Sequence, residues 1–67
     1  MKIANRIKEV RIENKLSQLA FGKLLSVSQD TVSLWENGKS IPTAESLIIM
    51  ATKFDVSVDY ILCLKDF

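Results

Sequence analysis

The stretch from Ser17 to Lys39, SQLAFGKLLSVSQDTVSLWENGK, limits the possible folds of this chain more than any other. Phe21 and Leu25 lie four apart, and Val32, Trp35 and Glu36 lie three and then one apart. Each set covers one face of a helix of about 3.6 residues per turn. The turn between the two patterns is too tight for an ordinary loop. Val27 sits in it, where its side chain can drop into the gap between the helices. Gly22, one turn before Ser26, is small enough for the second helix to approach closely. Two helices joined by a few residues, with the second offered to solvent, describe a helix-turn-helix.

The outward face of the second helix carries its own information. With Val32, Trp35 and Glu36 turned inward, a step of about 100° per residue puts Asp30, Ser33, Leu34 and Asn37 on the opposite side. Gln29, in the first turn, is exposed as well. This set is short, mostly polar and able to hydrogen-bond, as a helix lying in a DNA major groove requires. A plain solvated helix face is the competing account.

Sixty-seven residues allow one domain and one small core. Chains this short often need disulfides, metal or a partner for stability. The single cysteine, Cys63, cannot form an internal disulfide, and without histidine no ordinary zinc site is available. No metal or cofactor is expected. Packed helices must therefore hold the fold, and an apolar fraction of 48% suffices for that. No apolar run approaches the ~18 residues of a membrane span, and no signal peptide opens the chain, so the expected location is the cytoplasm. The net charge of +1 argues against nucleic acid, but its distribution argues for it. Through Lys39 there are seven basic and four acidic residues, a balance of +3; from Ser40 onward two basic and four acidic residues give −2. The basic half contains the helix pair.

Taken in order, the spacing predicts helices over about 3–14, 18–25, 28–37, 43–54 and 58–65, in one all-α domain spanning 1–67. Ile3, Ile7 and Val10 form the inner stripe of the first helix, with Ala4 and Arg11 on the same side and Lys2, Arg6, Lys8, Glu9 and Glu13 outside. Asn14 suits a helix end in the left-handed region. Leu16 packs under the next helix as a hydrophobic staple. Ser17, Ser28 and Thr43 are N-caps, and Ser57 or its neighbour caps the last helix. Asn37-Gly38 stops the third helix. Ser40-Ile41-Pro42 is an extended connector. Leu47, Ile48, Met50, Ala51 and Phe54 make the fourth helix the most buried, and Val56 plugs the core. Glu36, on an inner face, needs a partner, and Arg11 is the natural one. Trp35 is assigned to the core.

Nearly the whole chain, about Ile3 to Leu62, resembles the Cro/phage-repressor type of helix-turn-helix domain, also called the xenobiotic-response-element family. The matching residues are Leu16-Ser17-Gln18, Phe21-Gly22, Leu25, Val27-Ser28-Gln29, Val32-Ser33, Trp35-Glu36-Asn37-Gly38-Lys39, Pro42 and Val56-Ser57-Val58-Asp59-Tyr60. The ordered set is specific, although no single dipeptide is. The resemblance implies a compact five-helix, lambda-repressor-like fold and a transcriptional regulator, usually a repressor. Such a protein binds operator DNA, an inverted repeat, as a symmetric homodimer. It implies that Gln18 fixes its helix on a phosphate and braces a reading residue, and that Ser28 and Thr31 contact the DNA backbone. Gln29, Asp30, Ser33 and Leu34 match positions that face base edges. Asn37, Gly38 and Lys39 match a phosphate-donating loop, and Arg11 and Glu36 match a structural ion pair. Asp30 departs from the pattern, since a glutamine-like donor is common there; its carboxylate can accept from a cytosine amino group or reject other bases. Leu34 either packs on a thymine methyl or is simply an exposed apolar residue. Ser26 stands where the family generally has glycine, and a positive φ there would add strain of about 1 kcal/mol.

A second class of function remains open: a protein-interaction module of the same fold, antitoxin-like or partner-docking. The low net charge and Asp30 favour it. Leu62, Cys63, Leu64 and Phe67 leave apolar groups at the chain's end that can seal a dimer or bind another chain. Catalysis is not expected. There is no histidine, metal-ligand cluster or glycine-rich phosphate loop, and Cys63 has no basic neighbour but Lys65.

Overall fold

Hydroxyl side chains start four of the five helices in the computed structural model, which describes residues 2–66. The helices are α1 (Lys2–Glu13), α2 (Gln18–Leu25), α3 (Gln29–Glu36), α4 (Ala44–Phe54) and α5 (Val58–Ile61), with no strand among the described residues. Ser17, Ser28, Thr43 and Ser57 each take extended backbone and accept the N–H of the residue three further on. That N–H has no partner within its own helix, so the caps mark the starts chemically.

The helix ends share one device too. Each helix is followed by a residue in the left-handed region: Lys15 (φ 58°), Ser26 (60°), Gly38 (73°), Asp55 (54°) and Cys63 (62°). The reversal turns the following N–H back onto a carbonyl of the last helical turn. Leu16 donates to Arg11 O, Val27 to Gly22 O, Lys39 to Leu34 O, Val56 to Ala51 O and Leu64 to Asp59 O, at 2.8–3.2 Å. These bonds satisfy carbonyls that would otherwise be orphaned. At the end of α1 the left-handed residue is Lys15; Asn14, expected in that role, instead donates its side-chain amide to Val10 O at 2.7 Å. The same device shortens α5. The predicted span of 58–65 closes at Ile61, because the reversal at Cys63 returns Leu64 N to Asp59 O at 2.8 Å.

One core joins all five helices. Ile7 and Val10 of α1, Phe21 and Leu25 of α2, Val32 and Trp35 of α3, Met50 of α4 and Ile61 of α5 are buried together. Leu16, Val27, Leu47, Ala51, Phe54, Val56 and Tyr60 pack around them. The Phe54 ring stacks on Phe21 with centroids 5.3 Å apart. Trp35 is 3% exposed and belongs to the core.

Two expectations are corrected. Ile48 is 61% exposed, and the buried residues of α4 are Ser46 and Met50, so α4 is not the most buried helix. Residues 47–51, Leu-Ile-Ile-Met-Ala, are apolar throughout, and such a run does not reveal which face turns inward. Arg6 is not outside. Its guanidinium lies 4.1 Å from the Tyr60 ring centroid, and Nη1 donates to Tyr60 O at 2.6 Å, fastening α1 to α5.

Candidate nucleic-acid interface

The turn between α2 and α3 is set by two backbone features. Ser26 takes φ 60° and ψ 38°, and Val27 N then donates to Gly22 O at 2.9 Å. A Cβ on Gly22 would stand 2.7 Å from Val27 O. Glycine is therefore required there by the Val27 carbonyl, part of the turn itself. Below the turn, Val32 and Trp35 anchor α3 in the core and leave its opposite face in solvent.

On that face Gln29, Asp30, Leu34 and Asn37 are exposed and Ser33 is half-buried. Leu34 is 43% exposed. Asp30 lies in the first turn of α3, where a carboxylate also complements the positive end of the helix dipole. Asn37 Nδ2 donates to Ser33 Oγ at 3.2 Å, an i, i+4 pair that ties the end of α3 to its outward face. Ser33 keeps its own hydroxyl proton for an external acceptor. Ser28 Oγ accepts from Thr31 N at 3.1 Å and lies 3.0 Å from Thr31 Oγ1. The two hydroxyls share one proton between them, so one O–H stays free to meet an anion. Lys39 is exposed just past the reversal at Gly38.

Behind this face lies the ion pair. Arg11 Nε donates to Glu36 Oε2 at 2.7 Å and Nη2 donates to Oε1 at 3.0 Å, a two-pronged contact. The side chains are 13% and 5% exposed, so water screens the pair little. Arg11 Nη1 also donates to Leu16 O at 2.9 Å, holding the entry to α2. The hydrogen bond to Glu36 is the main cause that raises the Arg11 guanidinium above its ordinary pKa; burial opposes it and the charge attraction adds to it. The pair foreseen in the sequence is thus formed. Gln18 Nε2 donates to Glu36 Oε1 at 3.3 Å as well. No local pattern announced that bond, because its ends are 18 residues apart on different helices.

Of the residues expected at a dimer seam, Leu62 and Cys63 are half-buried, and the Cys63 thiol donates to Lys2 O at 3.4 Å. Leu64 is 71% exposed. Phe67 lies outside the described residues.

A capped helix pair across a left-handed turn, with one face of the second helix free, defines a helix-turn-helix domain of lambda-repressor-like architecture. A family model described as Helix-turn-helix matches residues 7–61. The chain belongs to this family, of the Cro and phage-repressor type that its sequence resembles. It is 33% identical over 60 residues to Repressor protein C2 of Salmonella phage P22, covering 90% of this chain and 28% of that protein. Over 55 residues it is 36% identical to Antitoxin PezA of Streptococcus pneumoniae, covering 82% and 35%. Over 62 residues it is 32% identical to the transcriptional activator BcrR of Enterococcus faecalis, covering 92% and 30%. The chain thus spans about a third of the length of these relatives. Among solved structures it is similar to the P22 c2 repressor protein in complex with a synthetic operator. That match has TM-score 0.83 at 31% identity and covers 91% of this chain and 92% of that one. The solution structure of the P22 c2 repressor DNA-binding domain is similar too, with TM-score 0.82 at 32% identity, covering 92% and 82%.

Proposed function

We propose that this chain is a sequence-specific, double-stranded DNA-binding transcriptional regulator, a repressor, that reads the major groove with α3 as a homodimer. The observation that carries the reading is the free face of α3, polar and short, held proud of the core by Val32 and Trp35. Similarity to a repressor solved on operator DNA supports it. On this reading Gln29 pairs with an adenine edge through N6 and N7, and Ser33 donates to a base acceptor. Asp30 accepts from a cytosine amino group, and Leu34 packs on a thymine methyl. Gln18, Ser28, Thr31, Asn37 and Lys39 hold the phosphates on either side, which gives register without sequence preference. Leu62, Cys63 and Leu64 lie at the dimer seam. Two copies of α3 then enter successive major grooves roughly 34 Å apart. The role is binding, with no catalytic step, and the site of action is the cytoplasm.

A second reading is kept open by one observation: PezA, an antitoxin, is 36% identical over 55 residues. Under it, the same domain would also dock a protein partner, with Leu64 part of the contact.

Selection of bound duplexes from a random pool near physiological salt tests the proposal. Enrichment of an inverted repeat with half-sites about one turn apart is expected. No enrichment by folded protein at micromolar concentration refutes it. Binding should also weaken steeply as salt rises, whereas apolar docking would not.

A further inference from the structure

Glu36 has three N–H donors converging on one buried carboxylate. Two come from Arg11, at 2.7 and 3.0 Å, and the third from the side-chain amide of Gln18, at 3.3 Å. A carboxylate can only accept, so it discriminates between the two ends of a primary amide. The NH2 of Gln18 is held toward Glu36, and that bond uses one N–H, leaving the second N–H and the carbonyl oxygen for other partners. Gln18 is the first residue of α2, beside the backbone N–H groups of a helix start, where an anion is favoured.

We infer that Glu36 is a positioning residue for DNA: its buried carboxylate, clamped by Arg11, sets the side-chain amide of Gln18 so that the outer N–H is presented to a phosphate. The inference rests on the DNA-binding reading above and adds a task to an ion pair that otherwise only supports the fold. The chain of cause runs from α1 through α3 to α2. Arg11 fixes the plane of the carboxylate with a fork of two donors. The carboxylate then fixes the amide. An amide already held loses less rotamer freedom when it meets phosphate than one that samples both orientations. Neutralising Glu36 as glutamine keeps the shape but lets the two amides face each other either way round.

The test is a double-mutant cycle on DNA affinity, using a duplex recovered by selection with the wild-type chain. Glu36→Gln, Gln18→Ala and the double variant are titrated with that duplex, with affinity referred to the folded fraction read by circular dichroism. Glu36→Gln is expected to weaken binding about fivefold, as loss of the preorganisation of one side chain immobilised on binding does. With Gln18→Ala in place, the same change is expected to alter affinity less than about twofold. Equal losses in both backgrounds overturn the inference, because Glu36 would then act on folding or on another contact. A second readout does not depend on the variants folding. In the free wild-type protein, one side-chain amide proton of Gln18 should be shifted and protected from exchange, as a hydrogen-bonded proton is. Two freely exchanging protons overturn the inference. If selection with the folded wild-type chain enriches no duplex while the Gln18 proton is protected, the DNA-binding reading fails and the inference falls with it. Enrichment followed by an additive cycle removes the inference alone.

Discussion

Removing one member of the buried ion pair gives the sharpest test of the fold. Arg11→Ala deletes both bonds to Glu36, at 2.7 and 3.0 Å, and the bond from Nη1 to Leu16 O at 2.9 Å. Glu36, 5% exposed, is left with the 3.3 Å contact from Gln18 as its remaining side-chain donor. Stranding a buried charge in this way costs about 3–5 kcal/mol. At about 0.05–0.15 kcal/mol per residue, a chain of 67 residues has a total stability of about 3–10 kcal/mol. The substitution therefore removes a large part of the stability, and for a domain this small the midpoint should fall by well over 10 °C. The assay is urea unfolding followed by far-ultraviolet circular dichroism at several temperatures. An apolar double replacement, Arg11→Met with Glu36→Leu, supplies the control, since exchanging a whole buried pair for apolar groups is often neutral. It should recover most of the loss. If Arg11→Ala lowers stability by less than about 1 kcal/mol, the pair behaves like a surface ion pair and the account of it as buried and unscreened is wrong.

Ser26→Gly should stabilise the domain by about 1 kcal/mol, since serine holds φ 60° there and glycine takes it without strain; a loss of stability in urea would show that the Ser26 side chain contributes something else. Gly22→Ala should destabilise by about 1–3 kcal/mol, because its Cβ would stand 2.7 Å from a backbone oxygen that cannot move without opening the turn; an unchanged urea midpoint contradicts this. Gln29→Ala should cost about 1–3 kcal/mol in affinity for the selected duplex and relax the preference at one base pair, without moving stability. Retention of full affinity and unchanged preference in repeat selection removes Gln29 from the reading face. Lys39→Ala should instead weaken binding to all sequences alike and lower the salt slope by about one ion, a difference read from affinities at several salt concentrations.

The residues of one or two turns decided much of this protein. Ser17, Ser28, Thr43 and Ser57 mark helix starts because each cap bond closes within three residues, so the chemistry is local. The inward faces of α1 and α3 were legible because Ile7, Val10, Val32 and Trp35 alternate with polar neighbours at helical spacing. The same phase exposed Gln29, Asp30, Leu34 and Asn37, and Arg11 could be matched to Glu36 because both are charged residues on inward faces. Tertiary packing decided what had no local contrast. Residues 47–51 in the middle of α4 are apolar without a break, so only the seat of the helix against Phe21 and its neighbours determines that Met50 turns in and Ile48 out. Arg6 reads as a solvated charge until α5 folds back and offers the Tyr60 ring and carbonyl, 54 residues away. The left-handed residues at four helix ends are not glycines; the resemblance pointed to a positive φ at Ser26, but the reversals at Lys15, Asp55 and Cys63 were not expected from the sequence, and the returning backbone bonds hold them. The bond from Gln18 to Glu36 belongs to the same class. It requires α1, α2 and α3 to meet at one buried carboxylate, a convergence that exists only once the core has formed.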